Sequence, residues 1–112
     1  MVEQADSVEH FMIRISTPDP SGQAIAVRGA LYGSGTGAVE LISGLTPLEA
    51  WTSGPVLSGM VQVVDSTNQV VVDVFSANRD AEPQLLMRAR ARTVLLGDHV
   101  TRDVGRFIRG VP

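Results

Sequence analysis

The sequence has no cysteine and no lysine, and its aromatic side chains amount to one tryptophan, one tyrosine and three phenylalanines. Without cysteine there is no disulfide framework, no thiolate metal site and no cysteine nucleophile. Only two histidines occur, His10 and His99, and neither stands with clustered carboxylates at metal-ligand spacing, so no metal site is expected. So few aromatics leave little for bases to stack on. An acidic pI of 5.2 with a net charge of −3 also disfavours a polyanion, so nucleic acid is not the expected partner.

Cofactor fingerprints are missing as well. The one glycine-rich run, Gly33-Ser-Gly-Thr-Gly37, has the spacing G-x-G-x-G and is followed by an alternating, strand-like segment. It therefore matches neither the dinucleotide fingerprint, which opens a helix, nor the P-loop, which needs a lysine, and it reads as a hairpin loop with no cofactor. Met1 to His10 is acidic and polar, unlike a signal peptide, and no apolar run is long enough to span a bilayer. The expected location is cytoplasmic, with no membrane contact.

What is present fits one globular domain. The 112 residues are 44% hydrophobic and 19% charged, enough for a single core but not for two. Residues 1–9 are expected to form a flexible N-terminal segment and 10–112 a single β-rich domain. Every basic side chain is arginine. Residues 1–78 hold only Arg14 and Arg28, while Arg79, Arg88, Arg90, Arg92, Arg102, Arg106 and Arg109 crowd the last third. Guanidinium groups suit carboxylate or phosphate partners through their planar fork of donors.

Alternation with period two dominates the chain, the pattern of half-buried strands. Phe11, Ile13 and Ile15 share one face of a first strand, opposite Met12, Arg14 and Ser16. Thr17-Pro-Asp-Pro-Ser-Gly22 breaks it. In the next strand Ile25, Val27 and Leu31 oppose Arg28 and Tyr32, with Gly29 marking a bulge or bend. Ala38 to Ser43 reads as a third strand. Val56–Asp65 and Val70–Ser76 suggest a hairpin around Ser66-Thr-Asn-Gln69, with Val63 opposite Val72, Val61 opposite Val74 and Gln62 opposite Asp73.

Two helices are expected. Thr46-Pro-Leu-Glu49 has the form of a capping box, which predicts a helical turn to about Thr52, with Trp51 plugging one end of the core. Asp98 would cap a C-terminal helix in which Val100, Val104, Phe107 and Ile108 form the apolar stripe. Between them, Gln84 to Leu96 has helix-forming composition but strict alternation of Met87, Ala89 and Ala91 with Arg88, Arg90 and Arg92, so a strand is favoured.

These readings give a mainly β fold, a six-stranded antiparallel meander forming a small barrel or sandwich, with a short helical turn and a C-terminal helix. The alternative is an α+β fold, a five-stranded sheet with two C-terminal helices. No catalytic motif stands out, and the chain leans away from being an enzyme. The first functional expectation is a non-enzymatic interaction or assembly module that forms a homo-oligomer. The alternative is a small-molecule-binding barrel or cofactor-free enzyme, with a small-molecule or anionic ligand held by Tyr32, Trp51, Asp73, Arg88, Arg90 and Arg92. Asp73 interrupts an apolar strand and reads first as an outward carboxylate paired with an arginine. Glu40 with Asp73 is the only acid pair worth considering for glycoside chemistry.

Overall fold

The structure is a computed structural model that describes residues 10–18, 21–33, 39–53, 57–65, 67–78, 80–97 and 108–111. Alternating apolar residues produce strands throughout, and no helix occurs among the described residues. The strands are β1 (His10–Ser16), β2 (Ala26–Gly33), β3 (Val39–Leu45), β4 (Leu48–Ser53), β5 (Leu57–Val63), β6 (Val70–Ser76), β7 (Leu85–Ala91), β8 (Thr93–Leu96) and β9 (Ile108–Val111).

They form two antiparallel sheets. One has four strands in the order β4-β1-β6-β7; the other has the order β3-β2-β5-β8, with β9 added beside β8. The inward positions of both sheets meet in one core. Phe11, Ile13, Ile15, Val70, Val72 and Val74 supply the first layer, and Val27, Leu31, Leu57, Val61 and Val94 the second. The architecture is thus an open two-layer sandwich, and the barrel expected as one possibility does not close. Burial of such side chains, at about 1.5–3 kcal/mol each, is the dominant stabilising term.

Several sequence expectations need correction. Among the described residues nine strands replace six, and the order is not a meander, because β1 pairs with β4 and β6. The helical turn over Thr46 to Thr52 is strand β4. Thr46 does not cap a helix: its hydroxyl accepts a hydrogen bond from the Ile25 N–H at 3.1 Å, and its own N–H donates to the Ile25 carbonyl at 3.0 Å. Those bonds extend the β2–β3 ladder by one pair. After the cis Thr46–Pro47 peptide the chain enters the other sheet. Period two then decides the segment, with Ala50 and Thr52 buried and Glu49 and Trp51 exposed. Trp51 therefore lies outside the core it was expected to plug.

The Val56–Asp65 and Val70–Ser76 segments do not form a hairpin. β5 pairs with β2 and β8, whereas β6 pairs with β1 and β7. Val61 and Val63 of β5 and Val70, Val72 and Val74 of β6 are buried all the same, because they meet face to face across the sandwich rather than side by side in one sheet.

Gln84 to Leu96 is extended, as alternation suggested, which removes the α+β alternative. It divides at Arg92, so that β7 completes one sheet and β8 joins the other. The Arg92 carbonyl accepts the Val63 N–H at 2.8 Å, tying this crossing point to the end of β5. In the expected C-terminal helix, Asp98 to Phe107 lies outside the described residues. Its last part, Ile108–Val111, is a strand antiparallel to β8, where unpaired backbone groups of β8 supply partners for it.

Gly29 is neither bulged nor bent: the β2–β5 register runs through it unbroken. A Cβ there would overlap the Met60 carbonyl oxygen, and one at Gly59 would overlap the Ala30 carbonyl oxygen. The two glycines let neighbouring backbones approach more closely than side chains would permit. The actual irregularity lies between β6 and β7, where Val74 faces Met87 but Phe75 faces Leu85, leaving Leu86 as the extra residue.

Candidate functional site

Among the described residues the distinctive chemistry lies on the outward faces of the two sheets. In an antiparallel pair, residues directly opposite one another share a face, so the register defines what each sheet turns outward. On the four-stranded sheet one outward row is Glu49, Arg14, Asp73 and Arg88, contributed in order by β4, β1, β6 and β7. Charges alternate along it. Arg88 donates from Nε to Asp73 Oδ1 at 2.6 Å and from Nη2 to Oδ2 at 3.3 Å. Asp73 is only 4% exposed, held on central strand β6, whereas the Arg88 side chain is largely in solvent. Hydrogen bonding to Asp73, and then the carboxylate's charge, raises the Arg88 pKa above its ordinary value, so this guanidinium stays charged.

Arg14 and Glu49 form a looser pair at 3.5 Å with both side chains about half exposed. The Arg14 guanidinium also lies 4.9 Å from the centre of the Phe75 ring, within cation–π range. The neighbouring outward row is apolar: Trp51, Met12, Phe75 and Leu85. Its two ends, Trp51 and Leu85, are about half exposed. On the far side of the charged row stand Ser16, Val71 and Arg90, and Arg90 Nε donates to Gln69 Oε1 at 3.1 Å.

The other sheet turns out a different surface. Opposite Ala26, Ala30 and Tyr32 of β2 stand Leu45, Leu41 and Val39 of β3; opposite Ala30 on the other side is Met60 of β5, and beyond it Leu95 of β8. Val64, whose N–H donates to the Ala26 carbonyl, continues the register just past β5. Leu41 is 80% exposed and Leu45 64%, and Tyr32, Val39, Met60 and Val64 are exposed with them. On this face of β2, β3, β5 and β8 the only charged residue is Arg28, whose Nε donates to Gln62 Oε1 at 3.3 Å.

The structure therefore brings Trp51, Asp73, Arg88 and Arg90 onto one outward face, with Arg92 exposed just beyond the end of β7. Tyr32 is not with them; it belongs to the outward apolar face of the other sheet. Glu40 and Asp73 also lie apart, Glu40 on the inward phase of β3 and Asp73 on the outward phase of β6. Sequence reasoning missed Arg14 with Glu49, and it missed the apolar face altogether. The signal for that face lay in β3, where both phases of the alternation, Val39 with Leu41 and Ile42, are apolar.

A shallow groove of about 120 Å3 runs between β3 and β4, lined by Glu40 to Ser43 and Leu48 to Ala50. Small-molecule sites typically enclose roughly 300–1,000 Å3. Among the described residues no group of three or more histidines and carboxylates is placed to hold a metal ion, and no helix is long and apolar enough to cross a membrane. Comparison with protein-family models, curated proteins and solved structures finds no match to this chain.

Proposed function

We propose that the protein is a non-enzymatic assembly module that pairs with a second copy of itself through the outward face of the β3-β2-β5-β8 sheet. One observation carries this reading: of the eight large hydrophobic side chains exposed among the described residues, Tyr32, Val39, Leu41, Leu45, Met60 and Val64 gather on that single face. Outward positions of an antiparallel sheet are ordinarily polar. A contiguous apolar patch on a small domain marks an interaction surface.

Size is compatible with the same reading. Strands β2, β3, β5 and β8 carry eight, seven, seven and four residues, and at about 3.4 Å per residue and 4.8 Å between strands they present a footprint of roughly 420 Å2. Two such faces in contact bury about 850 Å2 before side-chain relief is counted, and that relief brings the total toward the roughly 1,000 Å2 expected of a specific interface. Across β2, β3, β5 and β8 an isologous pair brings one Arg28 from each copy into an otherwise uncharged contact, with Arg109 of each β9 at its margin opposite Leu95.

Light scattering coupled to size exclusion over a range of concentrations tests this. The wild-type chain is expected to be dimeric at micromolar concentration, and Leu41→Asp to be monomeric with an unchanged thermal midpoint. A wild-type chain that stays monomeric at about 500 μM, where even a weak millimolar-range dimer begins to populate, overturns the reading.

A further inference from the structure

We infer that the outward face of the four-stranded sheet is a second and separate docking surface, and that its partner is an acidic peptide segment carrying an aromatic or aliphatic anchor residue. The inference stands apart from self-association, since it uses none of the residues of the apolar face.

Three features define the chemistry. First, the charge on this face runs against the charge of the chain. Arg14, Arg88 and Arg90 outnumber Glu49 and Asp73, in a protein whose net charge is −3. Arg88 and Arg90 are two positions apart on β7, an edge strand, so their side chains leave the same face about 7 Å from one another. That distance is also the repeat of same-side residues in an extended peptide, so alternate carboxylates of a partner can reach both.

Second, Arg88 is fixed before any partner arrives. The carboxylate of Asp73 is buried beneath it and engages Nε and Nη2, which holds the guanidinium plane while much of the side chain remains in solvent. A cation immobilised in this way loses little rotamer entropy when it engages a second carboxylate.

Third, the cations lie beside an apolar row. Trp51 and Leu85 stand half exposed at either end, with Met12 and Phe75 between them. The row offers a seat for one large apolar side chain, with the carboxylates that flank it directed toward Arg88 and Arg90.

A nucleic acid fits less well: among the described residues of this face it would find Trp51 as the only exposed aromatic ring to stack on, whereas an acidic peptide needs only carboxylates at the spacing of Arg88 and Arg90.

Because Trp51 is the only tryptophan, its emission reports occupancy directly. The probe is a short synthetic peptide alternating Asp or Glu with Phe and Leu, labelled for anisotropy, and titrated into the full chain. Saturable binding in the range of about 10–100 μM is expected, with a blue shift of Trp51 emission and at least a tenfold loss between about 50 and 500 mM salt. The amide version of the peptide, with Asn and Gln for the acids, should bind at least tenfold more weakly. Anisotropy should show a similar loss for the double variant Trp51→Ala and Arg90→Ala, both surface positions, with an unchanged circular dichroism spectrum expected as the check on its fold. Leu41→Asp should bind the peptide as the wild type does.

No saturable signal to about 1 mM peptide overturns the inference. So does binding that is indifferent to the double variant, or binding that is lost in Leu41→Asp. Tighter binding of a single-stranded oligonucleotide of equal charge would also overturn it, in favour of a nucleic-acid surface.

Discussion

The two sheets of this protein share one core but turn opposite chemistry to the outside. The four-stranded sheet carries a cross-strand row of alternating charge, Glu49, Arg14, Asp73 and Arg88, next to the apolar row that ends in Trp51 and Leu85. On the other sheet, β2, β3 and the β5 segment carry Leu41, Leu45, Val39, Tyr32, Met60 and Val64 outward with Arg28 as their one charge, and Arg109 of the edge strand β9 stands opposite Leu95. The inward faces are nearly interchangeable in chemistry, being valine, leucine and isoleucine in both. What the comparison teaches is that the fold constrains the inward residues of the two sheets alike, and that the outward residues are free to specialise.

The comparison breaks most severely at Gly29, where the apolar-faced sheet relies on close backbone approach. Gly29→Val forces a branched side chain into the Met60 carbonyl, and the variant is expected to lose cooperative folding, leaving no thermal transition by calorimetry. A folded variant with a normal midpoint would show that the two strands can separate at no cost.

Next in size is Leu41→Asp, which separates association from folding. At 80% exposure Leu41 contributes little to the monomer, yet two copies of it enter an isologous contact. Placing an unpaired carboxylate there should weaken the dimer by about 100-fold or more, read as the dissociation constant in analytical ultracentrifugation. A dimer of wild-type affinity would move the interface off this sheet.

The charged sheet provides the smaller contrasts. Arg88→Ala strands the Asp73 carboxylate where it is 4% exposed, so the variant should be clearly destabilised at pH 7. Denaturant unfolding of variant and wild type at pH 7 measures this, and an unchanged midpoint would contradict it. Smallest of all is Glu49→Ala. Its pair with Arg14 is half exposed, and removing it should cost less than about 1 kcal/mol at any pH.

Much of this was legible from residues alone. The strand character of His10–Ser16, of the β2 and β3 segments, and of Gln84 to Leu96 followed from period two, as did the outward position of Asp73 and the need for an arginine beside it. The Thr46-Pro-Leu-Glu49 signature misled because a capping box is a local preference, and the Ile25 backbone offered Thr46 two hydrogen bonds, one to its N–H and one to its hydroxyl, that a helix start would forgo. The valines of β5 and β6 misled for another reason. Apolar alternation says that two strands face a common core but not whether they do so from one sheet or from two. The charged row of the candidate site needed four strands from distant parts of the sequence in register, and no spacing along the chain encodes that. The apolar face was written plainly in Val39, Leu41 and Leu45, but an exposed hydrophobic residue is indistinguishable from a buried one until the sheet's outside is known.

The position of β1 between β4 and β6 has a consequence for synthesis. Phe11 stands opposite Ser76, so the four-stranded sheet cannot be assembled on a ribosome until the chain has emerged beyond Ser76. The β2–β3 ribbon needs nothing beyond Leu45 and is free to form well before. That ribbon is greasy on both sides, with its internal partner not yet available. Nascent chains of this protein thus pass through a stage at which premature clumping is the principal hazard, and rapid completion of translation is their natural protection.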